Sequence, residues 1–167
     1  ENQRCAPHFG NVKSGGNYAS ALGLIQKAKE KYNTAQVIFA PQGDVQETGA
    51  ANCILINDNE LLTKPLNSEF LPGITRDSLL KVAAKLGYTV TERNISATEL
   101  IAWIKTGEVA LSGTAAVLAP VGEIVYQEQT HIVNQGKEPV NAKRLRKYLN
   151  DIQQGIEEDT FHWITKI

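Results

Sequence analysis

Apolar and polar positions alternate along this chain with a spacing that changes repeatedly, and each change marks the edge of an element. From Asn17 the apolar residues Tyr18, Ala21, Leu22, Ile25, Ala28 and Tyr32 recur three and four apart, which predicts one face of a helix. Gln36 to Ala40 is a short β-rich run stopped by Pro41 and the turn around Gly43; Asn52 to Ile56 is a second, turning at Asp58-Asn59 into Glu60 to Thr63. Thr75 opens a helix with Asp77 in its first turn; Leu79, Leu80, Ala83 and Leu86 form its apolar face and Gly87 stops it. Tyr88 to Arg93 alternates like a strand, and Ser96-Ala97-Thr98-Glu99 is a capping-box pattern ahead of a helix carrying Leu100, Ile101 and Ile104, closed by Gly107. Val109 to Leu111, Ala115 to Leu118 and Glu123 to Tyr126 are strand-like, and Leu145, Tyr148, Leu149 and Ile152 place a last amphipathic helix. Residues 1–10 show no period and contain Pro7 and Gly10, so they read as a loop or linker remnant ahead of a single domain over 11–167. The fold class expected is mixed α/β with much antiparallel pairing, without internal repeats.

At 167 residues the chain can bury one core. Its 17 basic and 18 acidic residues nearly cancel, which removes any electrostatic case for nucleic acid or an anionic membrane surface and points to small-molecule or protein partners. The longest apolar runs are far too short to cross a bilayer, so a soluble, cytoplasmic protein is expected. Cys5 and Cys53 have neither disulfide-framework density nor metal spacing, which suits a reducing compartment, and Cys53, inside Cys53-Ile54-Leu55-Ile56, reads as a small core residue. His8, His131 and His162 are scattered and match no metal pattern, so no metal is expected. With Glu1 first and no methionine anywhere, the sequence is expected to be a piece of a longer product.

Candidate chemistry begins at Lys13, in Asn11-Val12-Lys13-Ser14-Gly15-Gly16-Asn17-Tyr18. A lysine beside two glycines and a helix start is a place where an amine can be held as a nucleophile toward a carbonyl; taken alone it reads first as a solvated loop lysine before a helix, and the runs that accompany it change that balance. Three more small-residue turns follow, each with one polar group: Glu47-Thr48-Gly49-Ala50-Ala51-Asn52, Leu71-Pro72-Gly73-Ile74-Thr75-Arg76-Asp77 and Ser112-Gly113-Thr114-Ala115-Ala116. In this order the four runs resemble the C-terminal half of a branched-chain amino-acid aminotransferase, a pyridoxal-phosphate (PLP) enzyme of fold type IV, from about Gly10 to about Gly155.

The resemblance implies a pseudo-barrel domain and assigns roles. Lys13 would hold the cofactor through its amine and carry a proton between the substrate Cα and the cofactor, and Glu47 would keep the ring nitrogen protonated. Tyr18 would bond the phenolic oxygen. Ile74, Thr75, Gly113 and Thr114 would hold the phosphate, the first two at a helix start suited to an anion. Backbone at Thr114 and Ala115 would meet the substrate carboxylate. The activity implied is amino transfer between leucine, isoleucine or valine and 2-oxoglutarate, by a homodimer or other homo-oligomer. Relatives carry an additional N-terminal domain ahead of the lysine motif, which with a neighbouring subunit supplies a phosphate-binding arginine and an aromatic gate; a chain without them is expected to hold cofactor weakly and to have low or no activity alone. The redox Cys-x-x-Cys of some relatives is replaced by Ala116 and Ala119, so no thiol switch of that type is expected, and Ala50 stands where several relatives have a hydroxyl or glycine. A D-amino-acid aminotransferase or aminodeoxychorismate lyase shares the lysine and glutamate positions, and a non-catalytic fragment or interaction domain is the alternative from another class.

Overall fold

The computed structural model describes residues 3–165. Gly15–Tyr32 (α1) follows the Lys13 run and ends at Asn33, whose left-handed backbone directs its N–H to Lys29 O. Only Asn17 and Ala21 are buried, while Leu22 and Tyr32, expected on its apolar face, are exposed. The helix lies on the surface and meets the body through Asn17 and Ala21 near its start, Ile25 at its middle and a Lys31–Glu128 ion pair of 2.6 Å at its end.

Asn52–Ile56 (β1) is buried at every position, so it offers apolar side chains to both faces and occupies the centre of its sheet. Asn57 Oδ1 accepts the N–H groups of Asn59 and Glu60, turning the chain into Glu60–Thr63 (β2), antiparallel to β1 with Leu55 opposite Leu62. Helix Ile74–Lys85 (α2) crosses over and delivers Thr89–Glu92 (β3) parallel to β2. Ala97–Trp103 (α3) starts as the capping box foretells, with Ser96 Oγ accepting the Glu99 N–H at 3.1 Å. Glu108–Gly113 (β4) and Val117–Pro120 (β5) complete a five-stranded sheet in the order β3-β2-β1-β4-β5. Glu123–Tyr126 (β6) and Gln129–Ile132 (β7) form a separate hairpin, and Val140–Gln153 (α4) closes the domain.

The core is two layers divided by the sheet. Ile54, Ile56, Leu61 and Ala110 meet Leu79, Val82 and Ala83 of α2 and Leu145, Leu149 and Ile152 of α4. On the other face Cys53, Leu55, Leu62 and Val109 meet Val45, Ile95, and Leu100 and Ile104 of the α3 region. Alternate residues of β1 thus belong to different layers, as the two-residue period of a strand requires. The mixed α/β class with mostly antiparallel pairing is borne out.

Three expectations need correction. Gln36 to Ala40 is not a strand: one bridge, Ile38 to Thr48, and two hydrogen bonds of Phe39 exist, and the left-handed pair Gln42-Gly43 ends the pairing. The strand expected at Ala115 to Leu118 begins two residues later, because Thr114 to Ala116 turn. β7 is an element the sequence pattern does not foreshadow; it follows a two-residue turn whose residues, Gln127 and Glu128, both have positive φ without the Asn-Gly signature such turns favour. The expected loop at 3–10 does consist of turns and bends, yet Arg4, Cys5 and Gly10 are buried in it.

Candidate functional site

Glu47 is the buried charge around which the site is built. It lies in the turn leading into β1, where Thr48 Oγ1 accepts the N–H groups of Ala50 and Ala51 and tightens the bend. Gly49 lies against α1: a Cβ there would stand 2.5 Å from Ile25 Cδ1, so that side chain would have to shift. The Glu47 side chain is 4 % exposed. Asn52 Nδ2 donates to its Oε2 at 3.0 Å and the Leu71 N–H to its Oε1 at 3.0 Å. Arg4 Nε stands 2.6 Å from Oε1, an ion-pair distance, but its N–H is out of line for a hydrogen bond. Burial pushes the carboxyl up to about 7, against the opposing pull of the Arg4 guanidinium and the Leu71 N–H. Near neutral pH this group can therefore hold or release a proton.

The 71–75 turn meets Glu47 through Asn52, whose Nδ2 also donates to Leu71 O at 2.9 Å. A Cβ on Gly73 would fall 2.3 Å from Asn52 Oδ1, so glycine is needed where α2 begins. No side chain caps that end and Ile74 is 82 % exposed, which leaves the first amides of α2 open to an anion, with Thr75 beside them.

The 112–116 turn arrives on the same side. Ser112 is the cross-strand partner of Asn52, so the two side chains share a sheet face, and the buried Ser112 hydroxyl has no partner among the described residues. Gly113 lies against the Glu47 turn, its Cβ position 3.7 Å from Ala50 O. Thr114, Ala115 and Ala116 are exposed, and Val117 behind them has φ 58°, a costly conformation for a β-branched residue. The 71–75 and 112–116 turns therefore both border Asn52, the first through Leu71 and Gly73 and the second through Ser112.

Neither the Lys13 nor the Tyr18 side chain makes a hydrogen bond or ion pair with Glu47 or Asn52 among the described residues; only the run that carries them is tied to Glu47. Lys13 is exposed and Tyr18 half-buried. Gly10 N donates to Ser68 O, and Gly10 packs so closely on Glu69 that a Cβ would fall 2.0 Å from its carbonyl carbon. Asn17 Nδ2 donates to Phe9 O and Val12 O, fixing the run ahead of Lys13. A Cβ at Gly15 or Gly16 would meet nothing within 4 Å, so open space, rather than close packing, surrounds these glycines. Arg4, absent from the sequence-based site, ties the lysine run to Glu47. Its only sequence signal is indirect: a buried carboxylate requires a compensating cation.

These groups fit a ligand with a protonatable ring nitrogen, a carbonyl and a phosphate: a buried carboxylate, an exposed amine, uncapped helix amides and an unpartnered hydroxyl beside the carboxylate. Comparison with known proteins agrees. Residues 3–124 match the family model described as "Amino-transferase class IV". The chain is 37 % identical over 164 residues to branched-chain-amino-acid aminotransferase 2 of Bacillus subtilis, covering 95 % of this chain and 45 % of that protein. To the chloroplastic branched-chain-amino-acid aminotransferase 5 of Arabidopsis thaliana it is 34 % identical over 160 residues, 38 % of that protein. The chain thus spans less than half the length of these curated relatives. Among solved structures, the branched-chain amino acid aminotransferase from Escherichia coli superposes with a TM-score of 0.84 at 31 % identity, over 99 % of this chain and 55 % of that one. With the family model matched over residues 3–124 and the fold shared with a solved member, this chain belongs to the class IV aminotransferases.

Proposed function

We propose that the protein carrying this chain is a PLP-dependent branched-chain-amino-acid aminotransferase, exchanging an amino group between leucine, isoleucine or valine and 2-oxoglutarate. The observation that carries this reading is the buried Glu47 carboxylate with the 71–75 and 112–116 turns joined to it through Asn52. The names of the relatives support it, as does a solved branched-chain amino acid aminotransferase, 26 % identical to this chain, complexed with N-(5'-phosphopyridoxyl)-L-glutamate. Bound PLP supplies an electron sink for the bond broken at the substrate Cα.

The chain's own residues do the rest. Lys13 would hold the cofactor through its amine and move the proton at the substrate Cα. Glu47 holds a proton at the ring nitrogen. Tyr18 donates to the phenolic oxygen. The amides of Ile74 and Thr75, with Gly113 and Thr114, hold the phosphate, and the small residues at Thr114 and Ala115 let backbone approach the substrate carboxylate. The domain over 11–167 acts in the cytoplasm within a homo-oligomer, and a further domain or a neighbouring subunit supplies the remaining contacts to phosphate and substrate.

Borohydride reduction of the PLP-treated protein followed by peptide mass spectrometry tests this: a pyridoxyl group is expected on Lys13 and nowhere in Lys13→Ala. A panel of L-branched-chain amino acids, D-alanine and aminodeoxychorismate then decides the substrate class. Multiple turnovers by Lys13→Ala, or preference for either of the last two, would overturn the reading.

A further inference from the structure

Arg4 joins three parts of the molecule that the motifs describe separately. Its side chain is 2 % exposed. Nη2 donates to Gly10 O at 2.8 Å, three residues ahead of Lys13; Nε stands 2.6 Å from Glu47 Oε1; and the Arg4 carbonyl accepts from Ser20 Oγ at 2.6 Å, in the helix that follows Lys13. A second tie runs alongside, because Gly10 N donates to Ser68 O at 2.8 Å while Leu71 N donates to Glu47 at 3.0 Å, so both ends of the Arg4 link also meet the 68–71 turn.

We infer that Arg4 is a positioning residue: one buried guanidinium sets the span between the loop that carries Lys13 and the carboxylate of Glu47. This rests on the function proposed above, in which amine and carboxylate address opposite ends of one rigid aromatic ring, so that the span must match the ring. Side chains without a planar fork cannot serve equally. A lysine keeps the positive charge but presents a single nitrogen, whereas Arg4 reaches the Gly10 carbonyl and Glu47 from different nitrogens. An error of about 1 Å in such a span costs up to roughly a hundredfold in rate.

The test uses the full-length protein with Arg4→Met and Arg4→Lys. Four readouts separate positioning from folding: labelling of Lys13 after borohydride, the pH dependence of the visible cofactor band, kcat against KM, and the Glu47 carboxyl titration followed by carbon-13 NMR without cofactor. For Arg4→Met, Lys13 remains labelled, kcat falls roughly 10- to 100-fold with a smaller change in KM, and the Glu47 titration moves upward. Arg4→Lys brings the titration back toward wild type while leaving kcat low. Unchanged kcat and unchanged titration in Arg4→Met overturn the positioning role alone. Should circular dichroism show that Arg4→Met does not fold, Arg4→Lys decides: reduced kcat with Lys13 still labelled supports the role, and wild-type kcat overturns it. Absence of label on Lys13 in the unsubstituted protein overturns the functional reading itself, and the role of Arg4 falls with it.

Discussion

At the scale of single residues, Glu47 carries a pH dependence whose sign can be worked out. Its carboxyl rises from 4.5 to about 7, first through burial, with Arg4 and the Leu71 N–H opposing. A native carboxyl with a raised value holds its proton more tightly than the unfolded chain does. Its stabilising contribution is therefore complete below about pH 4.5, declines across the interval and is lost above about pH 7. In cofactor-free protein, Glu47→Gln is expected to remove a decline of about 3 kcal/mol in unfolding free energy over that interval, read from urea denaturation at several pH values. Equal slopes in variant and wild type would contradict the account. A second residue-scale prediction concerns Gly73, whose added Cβ would strike Asn52 Oδ1. Gly73→Ala should displace the amide that holds Glu47 and destabilise the fold by about 1–3 kcal/mol in thermal denaturation. Lys13 and Glu47 are legible because each sits in a recognisable run. Arg4 is not: it lies in a stretch without period, and a buried charge leaves no local pattern.

At the scale of elements, the sequence is most informative where periodicity and caps agree. The start of α3 and the apolar faces of α2 and α4 fall as the spacing requires, and all four residues named for α4 pack in or against its core layer. Leu145, fully buried between α4 and the sheet, should cost about 2–5 kcal/mol when changed to alanine, measured by chemical denaturation. Gly16, near the start of α1, has open space where a Cβ would go. Gly16→Ala should therefore raise the stability of cofactor-free protein by about 0.5–1 kcal/mol, and a lower melting temperature would show that the space is already filled. Boundaries set by backbone handedness are the illegible part. Val117, Gln127 and Glu128 all adopt positive φ, and none is a residue type that announces it. The turn before β5 and the hairpin of β6 and β7 follow from tertiary pairing that residue chemistry does not reveal.

At the scale of the whole molecule, fold class and the order of the site loops are readable, whereas the convergence of the loops depends on Asn52, which bonds the Glu47 carboxylate and the Leu71 carbonyl and pairs with Ser112. The chain's cations near the helix that would receive a phosphate are already engaged. Arg76 bonds the Lys64 carbonyl and the Glu92 carboxylate, and the Lys64 ammonium is held by Asp44 and Asn94. Helix amides alone leave a dianion under-compensated. A protein that joins this chain to the further domain proposed above is accordingly expected to bind PLP more tightly than residues 1–167, by roughly tenfold or more for one charge-assisted contact, as measured by spectroscopic titration. β1 adds a dynamic consequence. A strand enclosed on both faces at the middle of its sheet exchanges its amide hydrogens only when the entire domain opens, while the turn bearing Lys13 can exchange through local excursions. The carboxylate end of the site is thus anchored beside a strand that opens only with the whole domain, and the amine end lies on an exposed run that is held to it through the buried Arg4.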